Sequence, residues 1–149
     1  MLTIVEKVIC LQNVDVFSEL PSEQLSYLAA IAEEVSYSKG DEIYRRDEVS
    51  DALYVVLDGR VRIHRDGEEL AVEEVDDAFG TWALFDETPR VATATADEDT
   101  RLLRIDREDF LDILTDHVGI TENVMKTLVG RLRGLLDRVG TDIGQRPTS

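Results

Sequence analysis

Residues 52–64 read Ala52-Leu-Tyr-Val-Val-Leu57-Asp58-Gly59-Arg60-Val61-Arg62-Ile63-His64. The first half is dense in strand formers and stops at Asp58-Gly59, a dipeptide of hairpin type, so the chain is expected to turn back there. On the returning side Val61 and Ile63 alternate with Arg62 and His64, which predicts one buried face and one wet face. His64 belongs to the wet one. The same pattern continues outward. Lys39-Gly40-Asp41 is a turn before Glu42-Ile-Tyr44, and Asp66-Gly67 is the next tight turn before Leu70-Ala-Val72. Ala92, Ala94 and Ala96 alternate with Thr93 and Thr95, and Leu102-Leu-Arg-Ile105 supplies another strand. Many short strands at regular spacing between residues 35 and 105 predict a β-sandwich or barrel.

Both flanks change period. Apolar residues at positions 2, 5, 8 and 9 have a helix-like spacing. Pro21 pre-sets the backbone for a helix start, and Leu25, Leu28, Ala29, Ala32 and Val35 continue one helical face. After the strands, Glu108-Asp109-Phe110-Leu-Asp-Ile-Leu114 reads as a short acidic-headed helix, and 121–139 as a longer one. The order is helix, β-barrel, helix. A helical segment or linker occupies 1–13, one domain 14–139, and a polar stretch over 140–149 reads as a disordered tail.

The length of 149 residues suits a single domain with a core of its own. Hydrophobic residues at 43% and charged residues at 32% describe a soluble globular chain. Lys and Arg number 16 against 32 Asp and Glu, a net charge of −16. Such a balance argues against nucleic acid or anionic lipid as partners, since both would be repelled. Cys10 is the only cysteine, which excludes an intramolecular disulfide and fits a reducing compartment. Between Ile9 and Leu11 it reads as a small core residue. No signal peptide and no membrane-spanning run is visible, so a cytoplasmic location is expected.

Residues 79–92 carry the chemistry: Phe79-Gly-Thr-Trp-Ala-Leu-Phe-Asp-Glu-Thr-Pro-Arg-Val-Ala92. A glycine leads into a short helix, and a loop closed by Pro89 places Arg90 beside it. Backbone N–H groups at a helix start favour an anion, and a guanidinium binds phosphate bidentately.

Together with Ser38-Lys-Gly-Asp-Glu-Ile43, Asp51-Ala-Leu-Tyr-Val-Val56 and Gly59-Arg-Val61, this segment resembles the cyclic nucleotide-binding domains. Catabolite activator protein and the regulatory subunit of protein kinase A are members of that family. The resemblance runs over about residues 14–137. It implies a mainly β fold with flanking helices: a double-stranded β-helix (jelly-roll) barrel, N-terminal helices and a long C-terminal helix. It also implies that 79–92 is the phosphate-binding cassette, with Gly80, Thr81, Trp82, Ala83, Arg90, Val91 and Ala92 as ligand-binding residues. Arg90 would pair with the cyclic phosphate, and N–H groups around Trp82, Ala83 and Ala92 would hydrogen-bond its oxygens.

Thr81 departs from the family pattern, in which a Glu accepts the ribose 2′-hydroxyl. Losing a charge-assisted hydrogen bond costs about 1.5–3 kcal/mol. Val91 cannot hydrogen-bond a guanine as a Thr would, so the resemblance implies cAMP over cGMP. Asp47 and Ser50 stand where glycines are common. Trp82, the only tryptophan, is expected to plug the core because the family buries an apolar residue there; base stacking is the other reading.

The resemblance implies a regulatory module, not an enzyme, in which cyclic nucleotide binding moves the C-terminal helix, with no cofactor beyond that ligand. The alternative is a non-binding domain of the same fold acting by protein contact or dimerisation. Met125, Leu128, Leu132, Leu135 and Val139 form a heptad-spaced seam suited to a homodimer. Only residues 140–149 follow that seam, so no DNA-reading unit is expected after it. Membership of a larger membrane protein stays open. A metal-dependent jelly-roll enzyme would need several His converging with a carboxylate, and His64 and His117 lie far apart.

Overall fold

The computed structural model describes residues 1–142, with side chains described through residue 140. Helix α1 covers Ile4–Leu11 and begins with a capping box. Thr3 Oγ1 accepts from the Glu6 N–H at 3.1 Å, and Glu6 Oε1 accepts from the Thr3 N–H at 3.0 Å. The Thr3 backbone N–H, and then its hydroxyl, hold the Glu6 carboxyl below its usual range. Helix α2 covers Ser22–Ile31 behind Pro21, whose φ of −66° suits a helix entry. It buries Leu25, Leu28 and Ala29. It stops short of Val35, contrary to the continuous face expected from the spacing. Ala32 is already extended, and Lys7 Nζ donates to its carbonyl at 2.7 Å. Val35 instead lies in strand β1, where pairing outweighs a spacing that both structures could satisfy.

Eight strands follow: β1 Glu33–Tyr37, β2 Glu42–Tyr44, β3 Ala52–Asp58, β4 Val61–Arg65, β5 Glu68–Glu73, β6 Ala78–Phe79, β7 Thr93–Ala96 and β8 Thr100–Asp106. They form two four-stranded antiparallel sheets, ordered β1-β8-β3-β6 and β2-β7-β4-β5. This is the jelly-roll architecture expected above. One local expectation fails. Asp58-Gly59 does not close a hairpin, because β3 and β4 belong to different sheets. It is the corner where the chain passes from one sheet to the other. Gly59 has φ +97°, and a Cβ there would sit 2.5 Å from the Asp99 carbonyl oxygen. Only glycine fits so tight a corner. Asp66-Gly67, by contrast, closes a true hairpin between β4 and β5, with both residues at positive φ.

Strands β3 and β8 lie side by side, pairing Leu53 with Ile105 and Val55 with Leu103. These four side chains face the helices and join Phe17, Leu25, Leu28, Leu84, Phe110 and Ile120 in the main core. Cys10 packs half-buried at its edge, as expected. The opposite faces of the two strands place Ala52, Tyr54, Val56 and Leu102 in the barrel interior with Val61, Phe79 and Ala94.

Helix α3, Arg107–Asp116, starts directly at the end of β8, and α4 covers Val118–Asp142. His117 separates them in a non-helical conformation and stacks on Tyr27 with ring centroids 4.0 Å apart. Helix α4 starts before residue 121 and extends beyond Val139, about 37 Å in all. Its end therefore takes in the first residues of the segment expected as a tail; the rest, 143–149, lies outside the described residues. Ile120 and Val124 are buried in the main core and Leu128 packs against it. Met125, Val129, Leu132, Leu135, Leu136 and Val139 are exposed. Among the described residues no helix is long and apolar enough to cross a membrane.

Candidate functional site

The cassette opens at Gly80, which has φ +76° and starts a 3-10 turn over Thr81–Leu84. A Cβ at Gly80 would lie 2.7 Å from an Arg90 guanidinium nitrogen and 3.0 Å from the Ala52 carbonyl oxygen. The glycine is thus required twice, for its backbone conformation and for the space that Arg90 occupies. The 3-10 turn buries Ala83 and Leu84, and the Ala83 N–H donates to the Gly80 carbonyl at 3.0 Å.

Arg90 is held from both sides. Its N–H donates to the Glu48 carbonyl and its carbonyl accepts from the Asp47 N–H, both at 2.8 Å. Asp47 takes φ +74°, the left-handed conformation expected where it replaces a glycine. The Arg90 side chain is only 5% exposed. Nη2 donates to the Ala52 carbonyl at 2.9 Å, and the guanidinium carbon lies 3.9 Å from the centre of the Tyr44 ring. Asp51 Oδ1 approaches Nη2 at 3.8 Å from an exposed side chain. The Arg90 Nε is buried without a hydrogen-bond partner. A buried cation so thinly partnered carries a desolvation cost that an anion would offset. Burial also pushes the Tyr44 phenol up, so it stays neutral beside Arg90.

Asp51 is shared. Its other carboxylate oxygen lies 3.5 Å from Arg104 Nη2, which also pairs with Asp106 at 2.7 Å. Desolvation pushes the Asp106 carboxyl up, against the pull of Arg104.

Arg90 forms part of the wall of a cavity of about 310 Å³ together with Tyr44, Ser50, Ile63, Trp82, Ala83, Asp86, Thr88, Pro89, Val91 and Ala92. That volume is at the lower end of the range for small-molecule pockets. Five of the seven residues expected from the sequence line it; Gly80 and Thr81 stand outside the lining. Trp82 is not the core plug expected. It is 74% exposed at the cavity's rim, near Val91 at 69%, because the buried places in this turn go to Ala83 and Leu84. The other lining residues, Tyr44, Ser50, Ile63, Asp86, Thr88 and Pro89, were not among the expected site residues. Asp86 and Thr88 fall inside the quoted cassette, but Tyr44 and Ile63 come from separate strands and only the barrel brings them here. The Asp86 carboxyl is held below its usual range, first by its hydrogen bonds with Thr88.

Both histidines sit away from this cavity. His64 Nε2 lies 2.8 Å from Thr95 Oγ1, half-buried where a solvent-facing residue was expected, and His117 stacks on Tyr27. Among the described residues no three His, Cys, Asp or Glu side chains are placed to share a metal ion.

Comparison with known proteins agrees with this fold. The sequence profile of the cyclic nucleotide-binding domain matches residues 34–117, more than half of the chain. A CRP-like cAMP-activated global transcriptional regulator of Mycobacterium tuberculosis is 28% identical over 145 residues, covering 91% of this chain and 65% of that protein. The cyclic AMP receptor protein of Thermus thermophilus is 34% identical over 122 residues, covering 78% and 56%. The chain thus spans under two thirds of the length of both. The N-terminal domain of a transcriptional regulator from Streptomyces coelicolor superposes with a TM-score of 0.81 at 30% identity, over 87% of this chain and 94% of that one. By profile, fold and cassette, this chain belongs to the cyclic nucleotide-binding domain family.

Proposed function

We propose that the chain is a regulatory, non-catalytic module that takes a cyclic nucleotide, cAMP in preference to cGMP, into the cavity beside Arg90. Occupancy then shifts the C-terminal helix. The observation that carries this is Arg90: a guanidinium 5% exposed, with an unpartnered Nε, on the wall of a ligand-sized cavity. Phosphate would supply the missing acceptors in a bidentate contact. Val91 offers an apolar rim with nothing to hydrogen-bond a guanine, which favours adenine. The module acts in the cytoplasm, alone or within a larger protein, membrane proteins included. It pairs through the exposed row of α4, Met125, Leu132, Leu135 and Val139, with Leu128 on the inner flank.

A second reading, a domain of this fold that binds no nucleotide and acts by dimerisation, is favoured by one observation. Thr81 replaces the ribose-binding Glu and does not reach the cavity lining. Calorimetric titration with cAMP and cGMP, followed in parallel by Trp82 fluorescence, separates the two. Saturable cAMP binding, weaker for cGMP and absent in Arg90→Met, is the expected result. Methionine fills much of the space without leaving a buried charge, so the variant should stay folded. No heat and no fluorescence change at millimolar cAMP would overturn the binding reading and leave the second.

A further inference from the structure

Arg107 makes more contacts with the cassette than its place in the sequence suggests. It is the first residue of α3, and its side chain is 13% exposed. Nη1 donates to the Ala83 carbonyl at 3.0 Å and the Asp86 carbonyl at 3.3 Å, and it also reaches the Ser50 carbonyl. Nη2 faces the Glu87 carboxylate at 3.5 Å. The Arg107 backbone N–H donates to the Asp51 carbonyl at 2.8 Å. One residue therefore grips three segments: the end of the 3-10 turn, the turn before β3, and the start of α3.

The groups it holds lie next to the candidate anion site. Ala83 and Asp86 line the cavity, and so does Ser50. Asp51 carries the carboxylate that approaches Arg90. Alongside the Arg107 bonds lies an apolar cassette–α3 contact, the edge of Phe85 against Phe110 with ring centroids 5.6 Å apart. A guanidinium on several carbonyls is directional, and it loses those bonds when either side moves.

We infer that Arg107 is a positioning residue that locks the phosphate-binding turn to helix α3, so that a change in the turn is passed to the C-terminal helices through its guanidinium. This rests on the reading that the cavity takes a cyclic nucleotide, but the tether itself exists without ligand. Lysine keeps the charge yet cannot span the same carbonyls with one ammonium.

Hydrogen–deuterium exchange of the full chain, free and with millimolar cAMP, tests it in wild type, Arg107→Ala and Arg107→Lys. In the free chain, Arg107→Ala should speed exchange of the amides over 83–88 and 107–110 by about tenfold or more, the scale of a lost charge-assisted bond. Amides of β4 and β7 should not change. With cAMP, wild type should show altered exchange in both the cassette and 107–124. The Ala variant should respond in the cassette alone, and the Lys variant should fall between. Unchanged exchange over 83–88 in the free Ala variant would overturn the tether. So would a response over 107–124 equal to wild type in a variant that binds cAMP. Should wild type bind no cAMP, the functional reading falls by itself and the free-chain comparison still decides the role of Arg107. If the Ala variant does not fold, the Lys variant carries the same comparison, and wild-type exchange over 83–88 in it overturns the tether.

Discussion

Strands β3 and β8 present one face to the helices and the other to the barrel interior, and the two faces are filled differently. Toward the helices stand Leu53, Val55, Leu103 and Ile105, in an apolar cluster with Phe17 and Phe110. Toward the interior Tyr54 pairs with Arg104, and Asp51, just before β3, is shared between Arg104 and Arg90. Buried Nε atoms of both arginines lack partners there. The helix side is packed for stability, since apolar burial there leaves nothing unsatisfied. The interior side retains unfilled hydrogen-bonding capacity at these two arginines. Apolar packing and unfilled polar capacity thus divide across a single sheet, so a substitution on one face can leave the other intact.

Phe110→Ala is the severest attack on the helix side. Phe110 is fully buried between Phe17 and Phe85, so its truncation should cost about 3–5 kcal/mol. A urea-melt midpoint reads it, and a cost under about 1 kcal/mol would mean that this side is far looser than its burial indicates. Thr81→Glu sharpens the other side. It should tighten cAMP binding by about 1.5–3 kcal/mol in calorimetry while leaving the urea midpoint nearly unchanged. No gain would show that the ribose is held some other way.

The smallest effect expected concerns Tyr54, confined to alkaline solution. Burial pushes its phenol up to about 12. An unfolded chain ionises Tyr near pH 10. Below that, both states keep the proton and the stabilisation is intact. Between about pH 10 and 12 the unfolded chain releases the proton before the native one, so stability declines as pH rises. Tyr54→Phe should make the decline over that window shallower in urea melts at stepped pH. An identical slope would mean that the Tyr54 ring is not sheltered from solvent.

Much of this organisation was legible beforehand. Alternation in 61–64 and 92–96, the turn at Asp66-Gly67 and the apolar spacing in α2 are local signals, and local structure followed them. The errors share one cause. Asp58-Gly59 has the composition of a hairpin, yet whether two neighbouring strands pair or part between sheets depends on what else competes for their edges. Here β8 and β6 occupy both edges of β3. Val35 satisfied a helical spacing and a strand, and pairing with Leu102 decided it. Trp82 carries the most apolar surface in its turn yet lies outside, because the inward positions there go to Ala83 and Leu84.

Sequence alone was sufficient for the family and the barrel, since each rests on residue types at short fixed separations, and it singled out Arg90, which the structure buries on the cavity wall. It also singled out Thr81 as a departure from the family pattern. Tertiary structure decided what surrounds Arg90: Tyr44 under its guanidinium, Asp51 shared with Arg104, and Ile63 across the cavity. The grip of Arg107 on Ala83 and Asp86 belongs to the same class. Those contacts join residues from separate strands and helices. They depend on how two sheets close and where α3 leaves β8, and no local pattern of residues encodes that geometry.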